Sequence, residues 1–313
     1  MSVESRKILI GIFSYNEGEN LRSMYYELKR QCTHFNCKIV LVDESDSEDS
    51  LAIINDILKE GDAINIMREG GINRQGKVYG QNVLYTYFIQ SEYEILMHFD
   101  ADHVLSENAV SGLAKAILSG LNISTCLNMP IRGVKIFQRV LYVMSLPPTI
   151  QRQNGSVKFP LVGHNGAYDR NAVVKIGQIP IGGMNEELYV LLKVLENGLS
   201  YAITTDALSY YALPATLSDY IMSTRRVYGR VKSFEHNANQ EMPSDFKILT
   251  NEVRKVVYAN PPIKIIIKSI LSDLIASFFV PYIFLVRWAV MRTSKIYQSD
   301  VWDSVRSTKS LTR

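Results

Sequence analysis

Short apolar runs and longer stretches of helical periodicity take turns along the first 130 residues. Lys7–Phe13 (KILIGIF) is almost continuously apolar, which predicts a strand buried on both faces, with a helix over Asn20–Arg30 behind it. The alternation repeats with Lys38–Val42 and a helix near Ser50–Lys59, then Ala63–Met67 and Val78–Gln90, then Glu94–Phe99 and a helix from Ser106 to Leu118. Such spacing predicts an α/β fold whose mostly parallel sheet is flanked by helices. In sheets of this kind ligands gather at the carboxyl ends of the strands. Those ends carry Ser14-Tyr15-Asn16-Glu17, Asp43-Glu44 and Asp100-Ala101-Asp102, so one rim of the sheet holds two acidic clusters and a polar loop.

Beyond residue 130 the pattern weakens. Residues 130–185 are richer in Pro and Gly and read as loops of an acceptor region. Asn185–Asn197 predicts a helix that stops at Gly198 and carries Glu186 and Glu187 in its first turn, with a short strand over Ser200–Thr204 and a helix over Leu217–Lys232. Residues 263–291 are the most apolar part of the chain. Lys264, Lys268 and Ser272 recur there at four-residue steps, and the longest uncharged run, Leu274–Val286, is thirteen residues and contains Pro281. A bilayer-spanning helix needs about 20 apolar residues, so the expectation is a pair of helices lying in the membrane interface, with Arg287, Trp288 and Arg292 at headgroup level.

Composition adds few constraints, charge distribution more. Of 313 residues 47% are hydrophobic and 21% charged, as in folded globular chains. Three scattered cysteines, Cys32, Cys37 and Cys126, form neither a disulfide framework nor a zinc motif, and the opening MSVESRK has no secretory pattern, so the expected compartment is cytoplasmic. Residues 225–313 hold 15 Lys/Arg against 7 Asp/Glu, a balance of +8, on a body that carries −5. A basic segment implies a polyanionic partner, and the apolar run inside it points to an anionic membrane surface on the inner face rather than to nucleic acid.

Asp100-Ala101-Asp102 follows an apolar strand, where two carboxylates project together and can hold Mg²⁺ or Mn²⁺ against a diphosphate. Alone, such a triplet is weak. Five stretches in order, from about Lys7 to Gly229, make the chain resemble the family-2 glycosyltransferases of GT-A fold, which are inverting enzymes using nucleotide-diphosphate sugars. Ser14-Tyr15-Asn16-Glu17 with Asn20-Leu21 resembles the loop that holds the nucleotide base. Val42-Asp43-Glu44-Ser45 resembles V-D-D-x-S. Gly76-Lys77 with Asn82 resembles the G-K-x-x-A-x-N helix start. Asp100-Ala101-Asp102 resembles the metal motif. Glu186-Glu187 with Leu188, Lys193 and Gly198 resembles the stretch that supplies the catalytic base.

The resemblance implies roles for these residues. Glu44 would meet the base, and because it is Glu rather than Asp the choice between uracil, which is favoured, and guanine stays open. Arg74 and Lys77 would meet the donor's base and diphosphate, Asp100 the ribose, and Asp102 a divalent metal, Mn²⁺ or Mg²⁺. Glu187 takes the register of the general base with Glu186 beside it, and either could serve. Arg225 stands in a degraded Q-x-x-R-W motif (Ser223–Gly229), where it could clamp a phosphate or face headgroups. His164 and Asn165 lie in the loop that approaches the acceptor.

The implied protein is a hexosyltransferase moving a sugar from a nucleotide-diphosphate donor to a hydroxyl or phosphate acceptor, which the basic tail tilts towards a lipid-linked one. Residues 1–235 would form the catalytic domain, with a nucleotide half to about 130 and an acceptor half over 131–235, and 236–313 a helical, membrane-interfacial extension. One rival is a haloacid-dehalogenase-type phosphatase with Asp100 as nucleophile, since Asp100–Val104 fits D-x-D-x-[TV]. Another is a sugar nucleotidyltransferase, which would want a basic Gly-rich loop where Ser14–Asn20 is acidic. A third is a membrane-associated nucleotide-sugar-binding module without catalysis.

Overall fold

In the computed structural model, described over residues 6–67, 75–154, 165–181, 185–241 and 263–294, the N-terminal alternation folds as its pattern predicts. It comprises β1 (Lys7–Ser14), α1 (Glu19–Gln31), β2 (Asn36–Asp43), α2 (Glu48–Lys59), β3 (Ala63–Asn65), α3 (Lys77–Gln90), β4 (Ile95–Asp100), β5 (His103–Leu105), α4 (Ala109–Leu118) and β6 (Ile123–Pro130). On β1 the side chains alternate between two cores. Ile8, Ile10 and Ile12 pack with α1, α2 and α4, whereas Leu9 and Phe13 pack with α3. Helices on both faces leave β1 no polar side, which is why its sequence reads as an unbroken apolar run.

The sheet has eight strands among the described residues, in the order β3-β2-β1-β4-β7-β6-β8-β5, where β7 is Gly166–Asp169 and β8 is Tyr201–Tyr211. Pairings β2–β3, β1–β2, β1–β4 and β6–β8 are parallel, and β4–β7, β6–β7 and β5–β8 antiparallel. The strand expected at Ser200–Thr204 therefore continues to Tyr211, held along its length by β6 and β5.

The described part of the stretch expected to be loops is instead mostly regular secondary structure, which corrects the sequence reading there; residues 155–164 and 182–184 of it lie outside the described residues. The described part contains β7, α6 (Arg170–Ile176) and the 18-residue α5 (Ile136–Gln153), which runs straight through Pro147 and Pro148. Proline removes a helical hydrogen bond and usually marks a break. Here Val140, Leu141 and Val143 are buried against Leu213, Ala276 and Ile283, and that packing outweighs the local penalty.

α7 (Glu186–Glu196) matches its sequence expectation, while α8 (Leu217–Glu241) extends past Lys232 and continues through the boundary expected at 235. Among the described residues, three helices rather than two follow it: α9 (Ile263–Ser272), α10 (Leu274–Ser277) and α11 (Val280–Thr293). They pack on α5, and α11 packs also on α8. Asp273, with its side chain only 2% exposed, fixes this C-terminal lobe. It accepts from Arg139 Nε and NH2 at 2.6 and 2.7 Å and from Arg132 NH2 at 2.8 Å, and it caps α10 through the Ala276 N–H.

The Arg139 and Arg132 guanidiniums hold the Asp273 carboxyl well below the ordinary carboxylate range. A depressed folded-state value means that the clasp contributes fully above the unfolded value of about 4 and is lost only as pH falls through the lower one. Limited proteolysis of the lobe should stay slow from neutral pH to about pH 4 in the native chain. Asp273→Ala should accelerate cleavage across that whole range, and equal cleavage of the two chains would show that the clasp does not anchor the lobe.

Candidate active site

The loops after β1 and β2 are pinned to each other. Asp43 is fully buried and accepts from Ser45 N and Oγ at 2.9 and 2.8 Å; Ser45 Oγ in turn accepts from Asn16 N at 2.8 Å. Asn16 has φ 54°, a left-handed conformation that Asn tolerates, and its Oδ1 accepts from the N–H groups of Asp46 and Ser47, both at 3.0 Å. Tyr15 reaches Asp46 Oδ2 at 3.2 Å. This lattice places Ser14, Tyr15 and Glu17 beside Asp43 and Glu44, so the first two strand ends form a single rim.

Glu44 occupies an unexpected position. Its carboxylate accepts from the backbone N–H groups of Gln75 and Gly76 at 2.5 and 2.8 Å, so it grips the start of α3. Gly76, the N-cap, has φ 91°, which glycine alone adopts without strain. One turn on, an added Cβ at Gly80 would lie 2.8 Å from Val42 Cγ1, so a larger residue would push α3 off the sheet. Together these features hold the first residue of α3, Lys77, over the end of β4.

Lys77 is enclosed, with 15% of its side chain exposed, and its Nζ lies 2.7 and 2.8 Å from the two Asp100 carboxylate oxygens. Burial by itself would pull its pKa down, but Asp100, Glu186 and Glu187 outweigh that and leave it raised. One ammonium is therefore shared by the acids at the end of β4 and those at the start of α7.

Asp102 and His103 complete the rim. One ligand atom each from Asp100, Asp102 and His103 can be chosen so that all lie within 4.8 Å of one another. His103 Nε2 is 3.8 Å from Asp102 Oδ1, and its Nδ1 lies 2.7 Å from Ser209 Oγ, which fixes the orientation of the ring. Asn165 braces this group: Oδ1 accepts from Asp100 N at 2.8 Å, and Nδ2 reaches Ser209 Oγ at 2.7 Å and His103 Nδ1 at 2.8 Å. Its own φ is 46°. The next residue, Gly166, lets β7 come close to β6, since a Cβ there would stand 2.9 Å from Ser124 O.

Glu186 and Glu187 open α7, whose N-cap Asn185 accepts from Leu188 N at 2.9 Å; the positive end of the helix favours both acids. Glu186 is buried and accepts from Arg230 NH1 at 2.8 Å, both side chains being 7% exposed. Among the described residues, Lys77 is set among Asp100, Glu186 and Glu187, Arg230 is paired with Glu186, and Asp102 stands beside Asp100. A cluster of carboxylates of this kind suits a divalent cation.

The family model for glycosyl transferase family 2 matches residues 9–177, just over half of the chain. The chain belongs to this family. It is a glycosyltransferase, and the phosphatase reading of Asp100 falls away. No curated protein matches the sequence. Solved structures share the fold at low identity. A mannosyltransferase, PcManGT, from Pyrobaculum calidifontis, in complex with GDP-Man and Mn²⁺, is 14% identical with a TM-score of 0.59, covering 94% of this chain and 86% of its own. The glucosyl-3-phosphoglycerate synthase of Mycobacterium tuberculosis, in complex with Mn²⁺, UDP and phosphoglyceric acid, is also 14% identical, with a TM-score of 0.50, covering 74% of this chain and 81% of its own.

Several site expectations for the glycosyltransferase change in this setting. Arg74 and His164 lie outside the described residues. Arg225 is exposed on α8; the arginine of that helix that reaches the acids is Arg230, five residues on. Asn165 braces Asp100 and His103, and His103 stands within ligand reach of Asp100 and Asp102. Arg230 gave no motif signal; its position on the buried side of α8, set against the exposed Arg225, is the only trace of it in the sequence pattern.

Removing one partner of a buried ion pair leaves the other charge uncompensated. Arg230→Gln should therefore cost about 3–5 kcal/mol in chemical denaturation. The exposed Arg225→Gln should stay within about 0.5 kcal/mol. Equal effects of the two would mean that the Glu186–Arg230 pair is not formed.

Proposed function

We propose that the enzyme is an inverting glycosyltransferase taking a sugar from a nucleotide-diphosphate donor, with UDP-sugars favoured, to a hydroxyl or phosphate acceptor. The observation that carries the reading is the shared charge of Lys77, whose ammonium is paired with Asp100 and also feels Glu186 and Glu187. A donor's diphosphate near Asp100 and a base on α7 would then serve one reacting molecule.

In this reading the residues divide the work. Tyr15 and Glu17 line the rim for the base and ribose, with Ser14 and Asp43 buried beneath them. Glu44 holds the α3 start against them, and Lys77 meets the diphosphate. Asp102, Asp100 and His103 would hold the cation. Carboxylates suit Mg²⁺ and Mn²⁺ alike, but an imidazole nitrogen favours Mn²⁺. The two solved structures named above contain Mn²⁺, and the synthase has also been determined with Mg²⁺. When bound, the cation offsets charge on the departing diphosphate.

Arg230 holds Glu186, and Glu187 stands in the register of the family's general base, so Glu187 is assigned the acceptor's proton. The acceptor oxygen attacks the anomeric carbon from the side opposite the diphosphate. Its proton passes to the Glu187 carboxylate, the carbon–oxygen bond to the diphosphate breaks, and the nucleoside diphosphate leaves. One displacement inverts the configuration and needs no covalent nucleophile. Asn165, below the metal group, belongs to its support more than to the acceptor. A lipid-linked acceptor and peripheral attachment to the inner face of a membrane complete the reading, supported by the basic, apolar C-terminal segment.

Glu187→Gln should lower turnover by roughly 10²–10⁴ with donor affinity nearly unchanged, and a near-native rate would reject Glu187 as the base. In thermal-shift measurements UDP or GDP should stabilise the native chain only with Mn²⁺ present, by about 2.7 kcal/mol at a ligand concentration about 100 times Kd. Asp102→Asn should abolish that gain; its persistence in the variant would remove Asp102 from the cation site.

A further inference from the structure

Among the described residues, 22 large apolar side chains are exposed, and 12 of them lie within residues 263–288. Leu271, Ile275, Phe278, Tyr282, Leu285 and Trp288 are each more than half exposed, Phe278 reaching 84%. Isolated exposed apolar residues are ordinary on protein surfaces; a concentration of this kind marks an interaction site.

The charges around it choose the partner. Asp273 is the sole carboxylate of residues 263–294, and it is turned inward onto Arg132 and Arg139. Lys264, Lys268 and Arg292 are exposed, and the Arg292 guanidinium lies 5.1 Å over the Trp288 ring. Among the described residues, the outward face of the lobe is therefore apolar and cationic, without an acid. A second copy meeting it across a two-fold axis would set lysines near lysines with no carboxylate to pair them. Anionic headgroups supply the missing charge, and the acyl boundary takes the apolar side chains. No helix among the described residues is long and apolar enough to cross a membrane, and α11 has only 14 residues, so the geometry fits a lobe lying in the interface.

The same lobe is tied to the active site by α8. On that helix Tyr228 Oη accepts from Arg287 Nε at 2.8 Å, and Lys232 Nζ donates to the carbonyls of Met291 and Ser294 at 3.1 and 2.5 Å. Between them in sequence, Arg230 holds Glu186 at 2.8 Å.

We propose that the face built by α9, α10 and α11 docks on an anionic lipid bilayer, and that α8 sets the active-site carboxylates at a fixed height above it. The docking stands independently of the catalytic reading; the height of the carboxylates matters only if the proposed glycosyl transfer holds.

The test is flotation of the full chain with vesicles of phosphatidylcholine, with and without phosphatidylglycerol, at low and high salt. Native protein should float with the anionic vesicles and release as salt rises. Phe278→Glu/Leu285→Glu and, separately, Lys264→Glu/Lys268→Glu should each reduce the bound fraction at least about tenfold. Mn²⁺-dependent stabilisation by UDP, measured on the same variants, should match native protein, which shows them folded. Failure to float, or flotation that both variants retain, overturns the docking proposal. So does a dimer in light scattering that Phe278→Glu/Leu285→Glu dissolves, since a second copy would then cover the face. If flotation holds while UDP with Mn²⁺ stabilises none of the chains, the catalytic reading fails and the docking face stands.

Discussion

Most of the active-site geometry depends on one buried ammonium. A lysine enclosed to the extent of Lys77 is tolerated only when carboxylates surround it, because an unpaired charge loses its hydration without return. Asp100 supplies the direct pair, and Glu186 and Glu187 add their field from a helix more than 80 residues further along the chain. The two halves of the molecule are thus joined electrostatically where the chemistry is proposed to occur. Among the described residues the carboxylates cluster around this point, a setting that suits a divalent ion.

The scaffold serves to hold that lysine still. Glu44 clamps the backbone at the start of α3, Gly76 supplies the conformation that the clamp requires, and Gly80 lets the helix lie close on Val42. Across the sheet Asn165 performs a comparable task for Asp100 and His103, from a left-handed backbone position just ahead of β7. In both places a polar side chain is used to fix a backbone or a neighbour, and the groups facing the pocket are the ones it orients.

The C-terminal lobe depends on the same economy of charge. Among its described residues the single acid, Asp273, is turned inward to hold the lobe on α5, which leaves their outer surface apolar and basic. A solvated helix bundle mixes both signs on its exterior, so this distribution is the property that sets the lobe apart from the catalytic core.

The alternation of apolar runs and helical stretches was sufficient for β1 to α4, because strands covered on both faces have no polar positions to blur the signal. The five motif stretches likewise marked the rim, since loops after parallel strands converge on one edge whatever the details of packing. What the sequence could not show was every feature carried by long-range contact. α5 persists through Pro147 and Pro148 because Leu213, Ala276 and Ile283 pack against it, and no local pattern contains that information. Arg230 and not Arg225 meets Glu186 because of the way α8 is rotated on the core, and Glu44 turns to the α3 backbone because β2 ends beside the start of α3. Local periodicity determined which segments become strands and helices; only tertiary packing decided which charged groups are buried together, since that depends on residues brought near from distant parts of the chain.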